Sequence, residues 1–233
     1  MQLTAADGTA INVRCSDNVR LLGFELDRDL KRFSKHNAAA ASRARRGLGA
    51  LRLVASHLGR DRRLLRSFAE GLVITHLRNF AFMTHAAHVL SKPQGPRHGD
   101  AGAEHTARVL LHDTARVIIG ARRAEHVRVE DLLDTAKIPT LNEIVVTQAA
   151  MAAADDVHTG VYGGVLTPPS SSSTRHTRAM TADLRFALDP GFLAAINMAM
   201  VWNASTALRS ATTRFSARSV ARRLGREYRH VHH

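Results

Sequence analysis

The sequence predicts a mainly α-helical protein with a β-hairpin at its N-terminus. Apolar residues alternate with polar ones only within residues 1–33, and from residue 34 onward they recur at helical spacing. A stretch at 158–182 is rich in Gly, Pro and Ser, a composition typical of a linker. With 233 residues, the chain has room for one domain or two small ones.

The N-terminal segment carries the signals of short strands and tight turns. Asp7-Gly8 is a dipeptide that favours a hairpin turn. Apolar and polar residues alternate over 9–14 and again over 19–27, with Gly23 in the middle of the second run. We therefore predict two short strands joined at 16–18.

Two consecutive helices are predicted in the segment 34–90. The first covers 34–58, is rich in Arg and ends at Gly59. The second covers 61–90 and begins at Asp61, a residue type that favours the N-cap position. Its second half is apolar on nearly all sides, which predicts a buried position. The apolar stripe of the first helix consists of Leu48, Leu51, Val54 and Leu58, and the apolar face at the start of the second consists of Leu64, Leu65, Phe68 and Leu72.

Further helices are predicted downstream of a Gly- and Pro-containing loop. Apolar spacing indicates helices over 103–119, 129–136 and 141–154, and again over 191–228 with a break near Asn203. The predicted elements divide the chain into segments at 1–33, 34–90, 103–157, 158–182 and 183–233.

The chain is strongly basic, with 33 Lys and Arg against 20 Asp and Glu and a formal net charge of +13 at pH 7. Such a balance implies a polyanionic partner, most often nucleic acid. Only four of the basic residues are Lys. GC-rich codon usage, which raises Arg and Ala together, is an alternative explanation of the Arg excess.

Cysteine usage and hydropathy restrict the class of protein. Cys15 is the only cysteine, which excludes an internal disulfide and a Cys-rich zinc site. No apolar run approaches the roughly 20 residues needed to span a bilayer, and the start of the chain lacks the features of a signal peptide. We therefore expect no membrane partner and no secretion.

Arginines concentrate on the first predicted helix and at the start of the second. At about 100° per residue, Arg43 and Arg46 lie on one flank of the apolar stripe, and Arg45 and Arg52 lie on the other. Arginine suits bidentate contact with phosphate, although a solvated face beside an apolar stripe is the alternative. No base-reading motif accompanies them, so contacts without sequence preference are expected. The candidate nucleic-acid-binding residues are Arg43, Arg45, Arg46, Arg52, Arg62, Arg63 and Arg66.

Other polar motifs carry weaker signals. A second basic tract at 209–229 is consistent with an RNA-binding tail or with a frayed, charged terminus. Asp155-Asp156 follows a predicted helix and precedes the Gly-rich linker, so we expect a solvated helix end rather than a Mg²⁺ site. His85 and His88 lack the further ligands that zinc requires. We assign no catalytic residue and no metal ligand.

Several segments, in a shared order, resemble the C-terminal region of non-LTR (LINE-type) retrotransposon reverse transcriptases. Leu21 to Asp27 is similar to the primer-grip strand of that family, and His36 with the two helices that follow resembles its thumb. Segments similar to the region downstream of the thumb lie at 116–120, 129–133 and 138–146, and segments similar to the C-terminal tail lie at 202–205 and 208–211.

The resemblance implies a palm-edge and primer-grip β remnant at 1–33, a thumb-like helical hairpin at 34–90 and a helical connector at 103–157, followed by a linker and a basic C-terminal tail. It implies that Leu22, Gly23 and Phe24 position the primer. The chain lacks the Phe/Tyr-x-Asp-Asp strand, the upstream catalytic Asp and the Cys-Cys-His-Cys knuckle of the family.

The expected function is therefore that of a fragment of an RNA-directed DNA polymerase, a nucleotidyltransferase, that binds RNA–DNA template–primer and element RNA but lacks the catalytic carboxylates. Its partners would include the missing palm and fingers, and Mg²⁺ would serve only the full-length polymerase. Together with the absence of a signal peptide, the resemblance implies a nuclear or cytoplasmic location. Two alternatives stay open: a stand-alone basic helical RNA- or DNA-binding protein, and a non-functional relic of a decayed element.

Overall fold

The computed structural model describes residues 2–4, 10–12, 18–21, 24–27, 33–58, 61–79, 81–89, 101–122, 124–159, 166–167, 185–186 and 193–229. This part of the chain is mainly helical, which confirms the mainly α-helical character that the sequence predicted. The helices are α1 (Ser34–Leu58), α2 (Arg62–Ala69), α3 (Thr75–Arg78), α4 (Ala81–Thr84), α5 (Ala101–Ile119), α6 (Val129–Ala136), α7 (Leu141–Thr159), α8 (Leu193–Ala204), α9 (Thr206–Arg209) and α10 (Arg214–Glu227), with a π-helical turn at Glu70–Ile74 between α2 and α3. None of the described helices is both long and apolar enough to cross a bilayer.

The strands are short and pair two at a time. They are β1 (Gln2–Thr4) with β2 (Ala10–Asn12), β3 (Asn18–Leu21) with β4 (Phe24–Asp27), and β5 (Leu166–Thr167) with β6 (Arg185–Phe186), each pair antiparallel. Among the described residues they form no larger sheet.

The predicted hairpin of one strand over 9–14 and one over 19–27 is wrong, because β2 pairs with β1 and the second segment contains two paired strands. In this second segment β3 and β4 are antiparallel, with Leu21 opposite Phe24. Pairing β3 with β4 satisfies backbone groups that a single strand without a neighbour would leave unpaired. Leu22 and Gly23 lie outside the described residues.

Helix α1 has both of the ends predicted from sequence. Its buried side begins with small residues and continues through Leu48 and Leu51, as the apolar stripe predicted. The burial of the stripe decreases toward the end of the helix, where Val54 is half-buried and Leu58 is exposed. The covered part of α1 packs against α5 and against the π-helical turn.

The helix predicted over 61–90 is wrong beyond residue 78. Asn79 has extended backbone angles after α3, α4 is one turn long, and residues 86–89 are not helical. Three amide side chains from later helices replace the missing helical hydrogen bonds. They are Gln148 and Asn142 of α7 and Asn197 of α8, which bond to backbone groups between residues 78 and 88.

The downstream helices agree with the predicted order. Helix α6 has the predicted bounds, and α5 ends at Gly120, whose positive φ of 75° suits a glycine. Helix α7 continues to Thr159, five residues beyond its predicted end at 154. The break predicted near Asn203 lies at Ser205, which caps α9.

One hydrophobic cluster joins the described helices. It contains side chains of α1, α2, α5, α6, α7, α8 and α10, so segments 34–90, 103–157 and 183–233 contribute to a common core. Helix α10 packs closely on α7: a Cβ atom on Gly225 would lie 1.9 Å from Thr147 Oγ1. Of the two alternatives for the basic C-terminal tract, a frayed terminus does not apply to 214–227, which form a packed helix.

Candidate nucleic-acid interface

Helix α1 and the helices that follow it form an antiparallel hairpin, called here the α1–α3 hairpin (34–58 and 61–78). Gly47 of α1 lies against Leu72 of the π-helical turn, and His36 and Leu77 line the same small hollow at the other end. Arg62 and Arg63 lie at the tip, where α2 begins. The hairpin therefore carries the predicted arginines from the middle of α1 to its tip.

Four of the seven predicted arginines are exposed, and the described residues offer their side chains no hydrogen-bond or ion-pair partner. These four hairpin arginines are Arg45, Arg46, Arg62 and Arg63. Arg46 lies about 18 Å along the axis before the end of α1, at 1.5 Å per residue. The four hairpin arginines therefore lie on one hairpin but are spread along its length.

The other three predicted arginines are less available. Arg66 donates its Nε–H to the carbonyl oxygen of Ala136 at 3.0 Å, which ties α2 to the end of α6. Arg52 lies 3.9 Å from the Asp113 carboxylate of α5 and is still more than half exposed. Arg43 is half-buried on the side of α1. Arg66 therefore has a structural role that the sequence did not indicate.

Acidic residues near the hairpin are already engaged. Asp61 caps α2, because its carboxylate accepts the backbone N–H groups of Arg63 at 2.9 Å and of Leu64 at 3.1 Å. Asp113 faces both Arg52 and Arg116 across the α1–α5 contact. Neither carboxylate pairs with any of the four exposed hairpin arginines, so no ion pair within the described chain neutralises their charge.

Exposed apolar side chains lie beside the arginines at the tip. Leu53 is 69% exposed, Leu64 46% and Phe68 43%. Leu53 and Phe68 line a shallow hollow of about 330 Å³ between α1 and α2. The sequence predicted that Leu64 and Phe68 share a covered apolar face with Leu65, but only Leu65 is buried. The tip thus combines cationic groups with apolar surface, a combination that suits a sugar–phosphate backbone.

Phe24, predicted to position a primer, has a structural contact. It is buried, and its ring centroid lies 5.1 Å from that of Phe33 and 4.1 Å from the ring of His36. The backbone N–H of Glu25 faces His36 Nδ1 at 3.4 Å. This aromatic cluster joins β4 to the start of α1, so the Phe24 side chain is not exposed to a ligand. Leu22 and Gly23 lie outside the described residues.

Asp155-Asp156 does not lie at a solvated helix end. Both residues are inside α7, and Asp156 is buried. The Asp155 carboxylate accepts two hydrogen bonds from Arg214, at 2.5 and 3.1 Å, and one from Arg218 at 3.4 Å. These bonds, Arg214 first, lower the pKa of Asp155 below its ordinary value. The prediction failed because α10, 59 residues later, packs on α7 and carries both arginines to it.

The two histidines considered for zinc differ in their surroundings. His85 is buried, and His88 Nε2 lies 3.1 Å from Glu104 Oε1 of α5. Burial raises the pKa of Glu104, but the hydrogen bond with His88 and the charge of Arg108 outweigh it, so the pKa is lowered. Within the described ranges, no three His, Cys, Asp or Glu side chains converge in a way that could hold a metal ion.

The chain was compared with protein-family models, with curated proteins and with solved structures. No family model matches it, and neither does any curated protein or solved structure. The resemblance to retrotransposon reverse transcriptases therefore stays a prediction from the sequence. The arginine surface of the α1–α3 hairpin is described from this structure alone.

Proposed function

We propose that this chain binds nucleic acid through the sugar–phosphate backbone, with the α1–α3 hairpin as the contact surface. The observation that carries the proposal is the set of four hairpin arginines, which are exposed and without ion-pair partners in the described chain. Guanidinium groups bind phosphate oxygens in a bidentate manner and tolerate partial desolvation better than ammonium groups. Contacts of this kind carry no sequence information, so binding should not discriminate between sequences.

The dimensions of the hairpin fit a duplex ligand. The distance along the helix axis from Arg46 to the end of α1 is about 18 Å. This distance is roughly half of the 34–36 Å length of one turn of a nucleic-acid duplex. Arg62 and Arg63 follow at the tip. A duplex lying along the hairpin would meet cationic groups at both ends of this span.

The resemblance to the reverse transcriptases of LINE-type elements supplies the finer proposal. In that setting the ligand is an RNA–DNA template–primer, the α1–α3 hairpin acts as a thumb, and the segment at Leu22, Gly23 and Phe24 lies near the primer. Because the Phe24 side chain is buried, any contact of Phe24 with the primer would use its backbone. We propose a fragment of an RNA-directed DNA polymerase that binds but does not synthesise, with the palm and fingers as its partners.

A matched pair of variants tests the hairpin. The double variant Arg45→Gln/Arg46→Gln and the control Arg122→Gln/Arg128→Gln each remove two positive charges from exposed positions. Binding of a labelled RNA–DNA hybrid is measured by fluorescence anisotropy over a range of salt concentrations. We expect the hairpin variant to weaken binding and to lower the slope of log K against log salt by about 0.9 for each phosphate that is no longer neutralised. The control should retain the slope.

An unchanged slope in the hairpin variant, with its thermal melt intact, would contradict the proposal. Equal losses of affinity in both variants would contradict it as well, because they would indicate attraction by net charge rather than by this surface. A primer-extension assay with Mg²⁺ tests the absence of synthesis, and robust extension by the isolated chain would contradict that part.

A stand-alone RNA- or DNA-binding protein is the second candidate. The observation that favours it is the common hydrophobic cluster, which joins α1 to α10 in one core. A cooperative melt of the isolated chain, together with a defined stoichiometry on nucleic acid, would support it. A non-cooperative melt would support the third alternative, a relic with little stable structure.

A further inference from the structure

The outward face of α10 carries an exposed aromatic ring in line with arginines. Phe215 is 85% exposed, the largest exposure among the large apolar side chains of the described chain. Three arginines follow it at i+3, i+7 and i+11, namely Arg218, Arg222 and Arg226. These spacings place all four side chains on one stripe of the helix. The stripe lies opposite Ala217, Ala221 and Leu224, which are buried in the core.

The arginines of this stripe are accessible. Arg222 and Arg226 are exposed, and the described residues give their side chains no hydrogen bond or ion pair. Arg218 shares the Asp155 carboxylate with Arg214, at 3.4 Å, and its side chain is still 45% exposed. Glu227, the one acid on α10, lies 3.6 Å from Arg223 rather than from the stripe. The face therefore has a net positive charge beside an uncovered ring.

Helix α10 holds this stripe on a rigid support. Its first turn has a capping box between Thr213 and Ser216, and Arg214 makes a bidentate pair with Asp155 of α7. Near its other end, Gly225 lies against Thr147 of α7. Phe215 is thus presented by an ordered turn, and its exposure is a property of the packed helix.

We propose that the stripe Phe215, Arg218, Arg222 and Arg226 binds single-stranded nucleic acid, with the ring stacked on a base and the guanidinium groups on successive phosphates. An aromatic platform combined with a cationic track is the arrangement by which proteins hold single strands without reading sequence. From Phe215 to Arg226 the helix rises about 16 Å, enough for a few nucleotides. A duplex keeps its bases stacked and offers no free base face to Phe215.

A membrane surface fits this face less well. A helix that lies in a lipid interface needs a broad apolar side directed at the lipid, whereas the apolar side of α10 is buried against α7 and the outward stripe has one ring only. The proposal uses a helix other than the α1–α3 hairpin and a different form of nucleic acid, so the two proposals can fail separately.

The test uses the full chain with fluorescein-labelled RNA and DNA single strands of one mixed sequence, an RNA–DNA hybrid, and vesicles containing anionic lipid. The variants are Phe215→Ala, Arg222→Gln/Arg226→Gln, and the control Ser219→Ala on the same exposed face. Thermal melts verify that each variant is folded.

We expect Phe215→Ala to weaken binding of both single strands at least about fivefold, the low end of the effect of removing one base–aromatic stack. Arg222→Gln/Arg226→Gln should lower the single-strand salt slope by about 1.4, at about 0.7 for each phosphate. Both variants should keep hybrid binding, and Ser219→Ala should keep all binding. Unchanged single-strand affinity in Phe215→Ala would overturn the proposal, and so would a loss confined to vesicles or one equally large for the hybrid.

Discussion

Gly47 of α1 and Leu72 of the π-helical turn meet backbone to backbone. A Cβ atom placed on Gly47 would lie 1.8 Å from the carbonyl oxygen of Leu72 and 2.6 Å from its carbonyl carbon. The contact lies at the middle of the α1–α3 hairpin and sets how closely its two arms approach. Any side chain at position 47 would force the arms apart and disturb the surface that carries the hairpin arginines.

Two glycines of α1, Gly47 and Gly49, should respond in opposite ways when each is replaced by alanine. Gly47→Ala should lower the free energy of unfolding by about 2 kcal/mol, because overpacking against a backbone atom outweighs the helix propensity gained. A Cβ atom on Gly49 would meet no other atom within 4 Å, so Gly49→Ala should raise stability by about 0.5–1 kcal/mol. Urea denaturation of both variants measures the difference. Effects of the same sign would show that the arms are not in contact.

Asn197 should also be important for the stability of the fold. It is buried in α8, accepts the N–H of Ala87 at 2.8 Å, and donates to the carbonyl oxygens of Phe82 at 2.6 Å and His85 at 2.8 Å. Asn197→Ala should lower the free energy of unfolding by about 3 kcal/mol, because buried backbone groups lose their partners.

The control for Asn197 is on the same helix. Asn203 is half-buried, and its Oδ1 atom has no hydrogen-bond partner among the described residues. Asn203→Ala should therefore change stability by less than about 1 kcal/mol. Chemical denaturation of both variants gives the comparison, and equal decreases in stability would mean that the hydrogen bonds of Asn197 are not what stabilises residues 82–87.

The success of the sequence predictions depended on how local the signals are. Helices α1 and α6 were predicted with both ends, because apolar periodicity and breaking residues within each segment define them. The long helix over 61–90 failed because Asn79 interrupts it, and the interruption is stabilised by Gln148 and Asn197, which are 66 and 110 or more residues away from the groups they bind. No local pattern indicates such partners.

At the candidate site, too, local features were predicted correctly and distant contacts were not. Helical angles correctly placed Arg45 and Arg46 outside the apolar stripe, since that geometry belongs to one helix. Arg66 was expected to be available, but its partner is the carbonyl oxygen of Ala136, 70 residues later. Phe215 was assigned no role from the sequence, because its exposure depends on which face of α10 packs on α7.

The last prediction concerns the Asp155–Arg214 pair and its dependence on pH. Asp155→Asn removes the anion that holds Arg214 and Arg218, and should lower the free energy of unfolding at pH 7 by about 1 kcal/mol, since both arginines are half exposed and solvent weakens the pairing. The pKa of Asp155 is lowered in the folded chain from its ordinary value of 3.8, through the Arg214 hydrogen bonds first.

A carboxyl with a lowered folded pKa contributes its stability fully above the ordinary value and loses it as the pH falls through the folded value. The stability difference between the wild-type chain and Asp155→Asn should therefore persist from pH 7 down to about pH 4 and shrink below 3.8. Urea denaturation at several pH values measures it, with Glu125→Gln, an exposed carboxyl without a side-chain partner in the described chain, as the control. A difference that stays constant down to pH 3 would show that the charge of Asp155 does not stabilise the α7–α10 contact, and that the apolar packing of α10 on α7 holds the two helices together.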